Sequence, residues 1–524
     1  KRYKALIGKS AVIPLINKSI SIIGDDEIKI DFGTGALKVT PAHDPTDYEI
    51  GLRNALPIIE SIDRNGRMVV LAEVPEKYHG MKINEARKAV VADLGAKLIK
   101  TEPLVHTISV CYRCGTTIEP MLTPQWYIKT KTLAKPAIDA VKLGKIKIVP
   151  KKRFEKMFFD WMENILDWNI SRQIVWGPRI PVWYCLECNP EITLNFIDKD
   201  GKKVVGSYEQ VKSGHKFEEI KSGLQSLSAP VDSVYSLQNP SRCLKCTSEN
   251  ILQETDTFDT WFLSSQWPLN ALGYPDSEDF KYFYPTSVMD TLWDILFFWV
   301  ARMMMMGIYR AGEIPFKVVH LHARVVDKFG QKMSKSKGNT INPLEMVEKY
   351  GADALRMSLV YGVAPAADIV MSDDKVRSMR NFANKIWNMA RFFLLELDKF
   401  KESTGKELDF YSQDQYVILP ESDKKIIDNL NTLIKSVDEN LAKYRFADAA
   451  EGIYHFMWDE LASKYLEELK SREDKDIALS VFRYIFLTCL KLLHPFMPFI
   501  TEEIWGHLPK KTDGPLIIST WPKL

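Results

Sequence analysis

The hydrophobic rhythm of the chain changes along its length. Over residues 1–100, short β-rich runs at 11–16, 19–23 and 28–32 alternate with glycine-punctuated polar segments, which predicts strands joined by turns. From about residue 377 the apolar positions follow a helical period. Phe382, Ile386, Met389, Phe393 and Leu397 share one face, as do Ile426, Leu430, Leu433, Val437 and Leu441. Between these regions, residues 318–326 form an apolar run with His320 and His322 embedded, read as one buried strand. Asn342-Pro343 and Tyr350-Gly351 mark the starts of two helices. An α/β part followed by an all-α part is the expected fold class.

Composition adds bounds. The 524 residues suffice for about three or four domains. With 46% hydrophobic and 26% charged residues the chain reads as soluble and globular, and a net charge of +2 neither demands nor excludes nucleic acid. The longest apolar stretches, 295–306 and 481–500, are interrupted by Arg302 or by Arg483, Lys491 and His494, so no membrane span is expected. Six of the seven cysteines form Cys-x-x-Cys pairs, a usage that points to metal in a reducing, cytoplasmic compartment and away from a disulfide scaffold. Cys185, Cys188, Cys243 and Cys246 supply the four thiolates of a structural zinc site. The long stretch between the two pairs, with its Asp198-Lys199-Asp200-Gly201-Lys202 turn, suggests an added hairpin. Cys111 and Cys114 are either half of another zinc site or a free pair of thiols. A basic run from Lys142 to Lys156 reads as a solvated face, with the backbone of an RNA as the alternative partner.

The densest chemistry lies at Lys332-Met333-Ser334-Lys335-Ser336, followed by Lys337-Gly338-Asn339. Flexible lysines in a serine-rich loop suit a triphosphate, whose transfer chemistry depends on positioning and charge neutralisation. The string KMSKS resembles the signature loop of class I aminoacyl-tRNA synthetases. Further stretches are similar to the valyl branch of that family: Gly33-Thr34-Gly35-Ala36 with Thr40-Pro41-Ala42-His43-Asp44-Pro45, then Asp259-Thr260-Trp261-Phe262, and Asp294-Ile295 through Trp299.

The resemblance implies the second half of a doubly wound nucleotide-binding fold, with a β-rich editing insertion, a zinc insertion and a C-terminal anticodon-binding helical bundle. The implied divisions are 1–105 (editing), 106–150 (stalk with a half zinc site), 151–376 (catalytic, zinc insertion 184–250) and 377–524 (anticodon-binding). It implies activation of valine with ATP and Mg2+, transfer to tRNA(Val), and hydrolysis of mischarged threonyl-tRNA, which a pocket sized for valine rejects poorly. Lys332 and Lys335 are the implied catalytic residues. Ser334, His322 and Asn339 join them on the ATP. Trp261, Asp294, Ile295 and Trp299 form the implied amino-acid site. Lys38, Thr40, Asp44 and Asp47 form the implied editing site. Leu292 and Ala323 replace glycines usual in the family. The family's His-x-Gly-His motif is absent, so the chain is expected to be a piece of a longer, generally monomeric enzyme. An isoleucyl enzyme, or a tRNA-binding or editing factor without activation chemistry, are the alternatives.

Overall fold

The computed structural model describes all residues except 1–2, 29–33, 72, 102, 104, 106, 112, 335–337, 365–366, 411–418, 510–513 and 524. The chain forms two compact units, residues 1–125 with 181–254, and residues 126–180 with 255–524.

In the first unit, Ser10–Ile13 and Lys18–Ser21 form an antiparallel hairpin, matching the first two expected β runs. The third run is interrupted by residues outside the description. Pro45–Arg53 is helical because Pro45 opens its first turn and the Asp44 carboxylate accepts from the Asp47 N–H at 3.0 Å. The added hairpin is present: Thr193–Ile197 pairs with Lys203–Ser207, and Leu224–Ser228 joins on the other side. Its turn is closed by the Asp198 carboxylate, which accepts from Asp200 N at 2.9 Å and Lys202 N at 2.8 Å, with Gly201 in the left-handed region (φ 77°). Leu194, Phe196, Tyr208, Val211, Ile220 and Leu227 are buried in this insertion.

The second unit contains a parallel sheet in the order Thr286–Leu292, Phe316–His322, Lys147–Val149. Strand alternation sends Met289, Val319, Leu321 and Ile148 into a core shared with Phe154, Phe158 and Met162 from the helix Lys151–Glu163, and with Met303 and Met304 from the helix Ala301–Ala311. The apolar run at 318–326 is two strands, not one. The chain leaves the parallel sheet after His322, and Val325–Val326 pairs with Ile369–Val370 instead.

The helical part begins at Asp373, a turn's length before the expected start. Ser372 caps this helix, accepting from Lys375 N at 3.3 Å, and Asp373 and Asp374 favour its positive end. Asp373–Thr404, Glu421–Ala442, Phe446–His455, Lys475–Leu493 and Pro498–His507 pack around a core that includes Phe382, Phe393, Leu430, Phe482 and Phe486. Each such side chain contributes about 1.5–3 kcal/mol by leaving water. Leu397 and Leu441, the last positions of the two expected faces, are only partly buried. Two polar devices lock the bundle. The Asp353 carboxylate accepts from the Phe499 and Ile500 N–H groups at 3.2 and 2.7 Å. Arg472 grips the fully buried Asp423 with two guanidinium nitrogens, at 2.5 and 2.9 Å, and Asp474 at 2.6 and 2.8 Å. Among the described residues no helix is long and apolar enough to cross a membrane.

Candidate functional site

The lysine loop leaves the short strand Val325–Val326 and is held at its base by two side chains. Asp327, buried, accepts from Phe329 N at 2.9 Å and Gln331 N at 2.8 Å through one oxygen, and from the Asn339 amide at 2.8 Å through the other. Asn339 also accepts from Ser334 N at 3.0 Å and donates to the Lys332 carbonyl at 3.3 Å. Asn339 thus spans both limbs of the loop, and Asp327 is the anchor that sequence reading passed over. Lys335 lies outside the described residues, whereas Lys332 and Ser334 are on the pinned limb.

His322 ends the strand before the loop. Its Nδ1 lies 2.9 Å from the Ala323 carbonyl, and its Nε2 lies 4.0 Å from Asp290 on the adjacent strand. Asp290 also meets His320 Nδ1 at 2.5 Å, and this hydrogen bond holds the Asp290 carboxyl below its usual range. The His320 ring stacks on Tyr444 (5.6 Å) and meets the edge of Phe446 (5.4 Å), both at the turn between two bundle helices. A single charged residue within the strand Thr286–Leu292 was the signal for this cluster.

The expected amino-acid residues fall on two packed elements. After a tight turn at Trp293–Ile295, the helix runs through a wide five-residue turn, Leu296–Val300, before becoming regular at Ala301. Such wide turns recur at functional sites because they re-aim side chains. Here Phe298 stacks on Trp261 at 6.0 Å, and the Trp299 indole donates to the Ser264 carbonyl at 3.1 Å, which packs the segments that carry Trp261 and Trp299 against each other. Ile295 is half-buried at the start of this segment, and Asp294 Oδ1 is buried with no hydrogen-bond partner among the described residues. An orphaned acceptor of this kind is satisfied by a ligand or water. Leu292 has ordinary extended geometry (φ −64°, ψ 135°), so the backbone here does not require the family's glycine. Behind Trp261, Asp259 is buried against Arg172 (3.1 Å), Arg302 (3.5 Å) and the Trp168 indole (3.0 Å). Burial lowers the Arg302 pKa, against the pull of Asp259.

The segment 38–47 brings its four expected residues into one hydrogen-bonded chain. The Lys38 ammonium donates to Thr40 Oγ1 at 2.9 Å, Thr40 N donates to Asp47 Oδ2 at 2.6 Å, and Asp47 N donates to Asp44 Oδ1 at 3.0 Å. His43 is a brace: it accepts from Ser61 N at Nε2 (3.0 Å), which leaves Nδ1–H to donate to the Pro120 carbonyl (3.2 Å) and fixes a neutral tautomer.

The sulfurs of Cys185, Cys188, Cys243 and Cys246 all lie within 4.8 Å of one another. Cys185 and Cys246 are 3.5 Å apart, Cys188 and Cys243 3.7 Å, far beyond a disulfide bond. A tetrahedral ion with bonds of about 2.3 Å requires sulfurs about 3.8 Å apart, so the donor set fits zinc. Burial and the neighbouring thiols push Cys188 up to about 12. At Cys243, burial is outweighed by the backbone N–H groups of Cys246 and Lys245 and by nearby thiols, which hold it down to about 7. The Cys243 turn is closed by Cys243 N to Ser248 O and Thr247 N to Cys243 O, each 2.8 Å. Cys111 repeats both bonds, to Thr116 O and from Gly115 N, also at 2.8 Å. Gly115 (φ 69°) and Thr247 (φ 62°) take the same left-handed position. Cys111 and Cys114 therefore sit in a metal-knuckle turn, without another thiol pair beside them among the described residues.

The family model for "tRNA synthetases class I (I, L, M and V)" matches residues 38–372, and that for the "Anticodon-binding domain of tRNA ligase" matches residues 423–524. Valine--tRNA ligases of Clostridium tetani and Clostridium acetobutylicum are 43% and 44% identical to the chain over 100% of its length. The chain spans about half the length of these relatives, 54% of each. Among solved structures, a LeuRS-tRNA-LeuAMS ternary complex from Agrobacterium radiobacter K84 aligns with TM-score 0.50 and 20% identity, over 98% of this chain and 53% of that one. Methionyl-tRNA synthetase of Mycobacterium tuberculosis, with methionyl-adenylate, aligns with TM-score 0.52 and 17% identity, over 77% and 66%. These two likenesses concern the fold alone. With the loop, the parallel sheet and the helical bundle arranged as described, the chain belongs to the class I tRNA synthetases.

Proposed function

We propose that this chain carries out ATP-dependent activation of valine and its transfer to tRNA(Val), with hydrolytic editing of threonyl-tRNA(Val). The observation that carries the reading is the lysine loop, pinned by Asp327 and Asn339 beyond a parallel strand that ends in His322. The valine--tRNA ligase relatives along the whole chain favour valine over isoleucine. Lys332 and Lys335 stabilise charge developing on the phosphates as pyrophosphate leaves, and His322, Ser334 and Asn339 face the nucleotide. Mg2+ supplies further neutralisation when bound with ATP. Asp294 offers its unpaired oxygen to the adenylate, while Trp261, Ile295 and Trp299 limit the side chain to a size near that of valine. In the editing segment, Asp47 takes the α-ammonium, and Lys38, Thr40 and Asp44 recognise the threonine hydroxyl. Zinc is the structural ion of Cys185, Cys188, Cys243 and Cys246, and Cys111 with Cys114 form half of another site. The protein acts as a cytoplasmic monomer, divided near residues 105, 150 and 376.

Valine-dependent ATP–pyrophosphate exchange tests this reading, on the chain itself and on a version extended to the relatives' full length. Exchange should prefer valine to isoleucine, and Lys335→Ala should lower its rate far more than it weakens valine binding. Unchanged exchange in Lys335→Ala would remove that lysine from the chemistry. Hydrolysis of threonyl-tRNA with no exchange in either version would favour an editing factor, the alternative motivated by the absent His-x-Gly-His motif.

A further inference from the structure

The three Cys-x-x-Cys turns of the first unit are not closed alike. In the turns that begin at Cys111 and Cys243, the carbonyl of the first cysteine accepts from the backbone N–H four residues on, at Gly115 and Thr247, each at 2.8 Å. Both of those residues take the left-handed backbone, with φ 69° and 62°, that this closure uses. The turn that begins at Cys185 has Asn189 in the corresponding place. Asn189 lies outside the left-handed region, and its N–H donates to the Leu186 carbonyl at 3.2 Å. The Cys185 carbonyl accepts instead from the Asn189 side chain, at 2.8 Å. A side-chain amide thus stands in for the backbone closure of the other two turns.

The rest of that amide is committed to the insertion between the thiol pairs. Its nitrogen also donates to the Val234 carbonyl at 2.9 Å, and its oxygen accepts from Val234 N at 2.7 Å. Asn189 is 1% exposed, so both amide hydrogens and the oxygen are used where water does not compete. Val234 directly precedes the strand Tyr235–Ser236, which pairs with Trp183–Cys185, the strand that delivers the first cysteine. Glu187, inside the same turn, makes a second tether. Its carboxylate accepts from the Tyr208 hydroxyl at 2.5 Å and from the Asn250 amide at 2.9 Å. Tyr208 belongs to the insertion and is buried there.

We propose that Asn189 is a positioning residue for the metal. Its amide closes the Cys185–Cys188 turn and fastens it to the insertion at Val234, with Tyr208 on Glu187 as a second fastening. The Cys243 turn closes through its own backbone, so the insertion exerts its hold on one half of the site. The long stretch between the pairs is then a working part of the metal site, because it fixes one pair of thiols at ligand distance from the other. Groups that orient metal ligands typically matter by about 10–100-fold in metal affinity. The proposal rests on the reading of the four thiolates as a zinc site.

Titration of the metal-free full chain with Zn2+, against a competing chromophoric chelator at fixed pH, tests this without any aminoacylation chemistry. Asn189→Ala should weaken zinc binding about 10–100-fold. Tyr208→Phe, which keeps the ring and removes the donor, should weaken it by a smaller factor. Circular dichroism and the melting temperature of each metal-free variant are measured alongside. A role confined to holding the fold would lower the metal-free melting temperature and leave zinc affinity at that of the unaltered chain. A loss of affinity in Asn189→Ala alone supports the amide closure and removes Tyr208 from it. Unchanged affinity in folded Asn189→Ala overturns the proposal; where that variant does not fold, unchanged affinity in Tyr208→Phe overturns it. An unaltered chain that takes up no zinc removes the four-thiolate reading, and this proposal with it, a result distinct from zinc bound with unchanged affinity in the variants.

Discussion

Asp259 illustrates how much one buried charge can hold. It is buried, and Arg172, Arg302 and the Trp168 indole are its partners there. Arg302 is also stacked on Trp168, 4.0 Å from the ring centre, so the four groups form one unit. Replacing Asp259 with Ala leaves two cations partly buried without their anion, and should destabilise the chain by about 3–5 kcal/mol in chemical denaturation. A loss below about 1 kcal/mol would mean that the cluster is solvated. The sequence showed Asp259 only as the first letter of a tryptophan motif. Its partners arrive from distant segments, and no local period or spacing announces a contact with Trp168. By contrast, Lys38, Thr40, Asp44 and Asp47 lie within ten residues of one another, so one stretch of sequence resembling the family's editing signature names all four, and the structure links them by hydrogen bonds.

Among elements, the helices were legible because their apolar stripes repeat at short range, and most of the expected faces are buried. The wide turn at 296–300 was not, since apolar composition alone does not reveal a change of helical pitch. Nor was the break at Ala323–Arg324, where a continuous apolar run divides between two sheets. The cysteine cluster was legible from pair spacing, although the stretch between the pairs obscured how near they come. Its insertion has an apolar core of its own around Leu194, Phe196 and Ile220. Cys243→Ser should therefore abolish bound zinc, measured by atomic emission, and lower the melting temperature, while leaving the circular dichroism of the folded chain essentially unchanged. Full zinc content in that variant would exclude the four-thiolate site. Loss of the folded signal on chelation would mean that the core is insufficient without the ion.

At the scale of the whole molecule, acid sensitivity follows from the Arg472 network that ties bundle helices together. Arg472's hydrogen bonds hold the Asp474 carboxyl below its ordinary value of 3.8. The folded value is thus below the unfolded one, so this interaction contributes fully above about pH 4 and is lost as pH falls through the depressed value. In urea titrations, Asp474→Asn should lower stability near neutral pH and show a shallower decline between pH 4 and 2 than the unaltered chain. Parallel curves would mean that Asp474 titrates as it does in the unfolded chain. The division into two units was less legible than the fold class, because the segments that join in the first unit, 1–125 and 181–254, are separated in sequence by strands and helices of the second.

The knuckle at Cys243 has a consequence for timing. Its backbone bonds to Ser248 and from Thr247 close the turn, and the insertion has a core of its own beside it. If zinc binds there, its capture is expected to follow synthesis and collapse instead of directing them, and zinc added to metal-free folded chain should then bind without an unfolding step. The metal carried by a purified sample would accordingly report the supply available when the cells were harvested, and a correctly shaped but metal-poor population could be replenished on the bench without refolding.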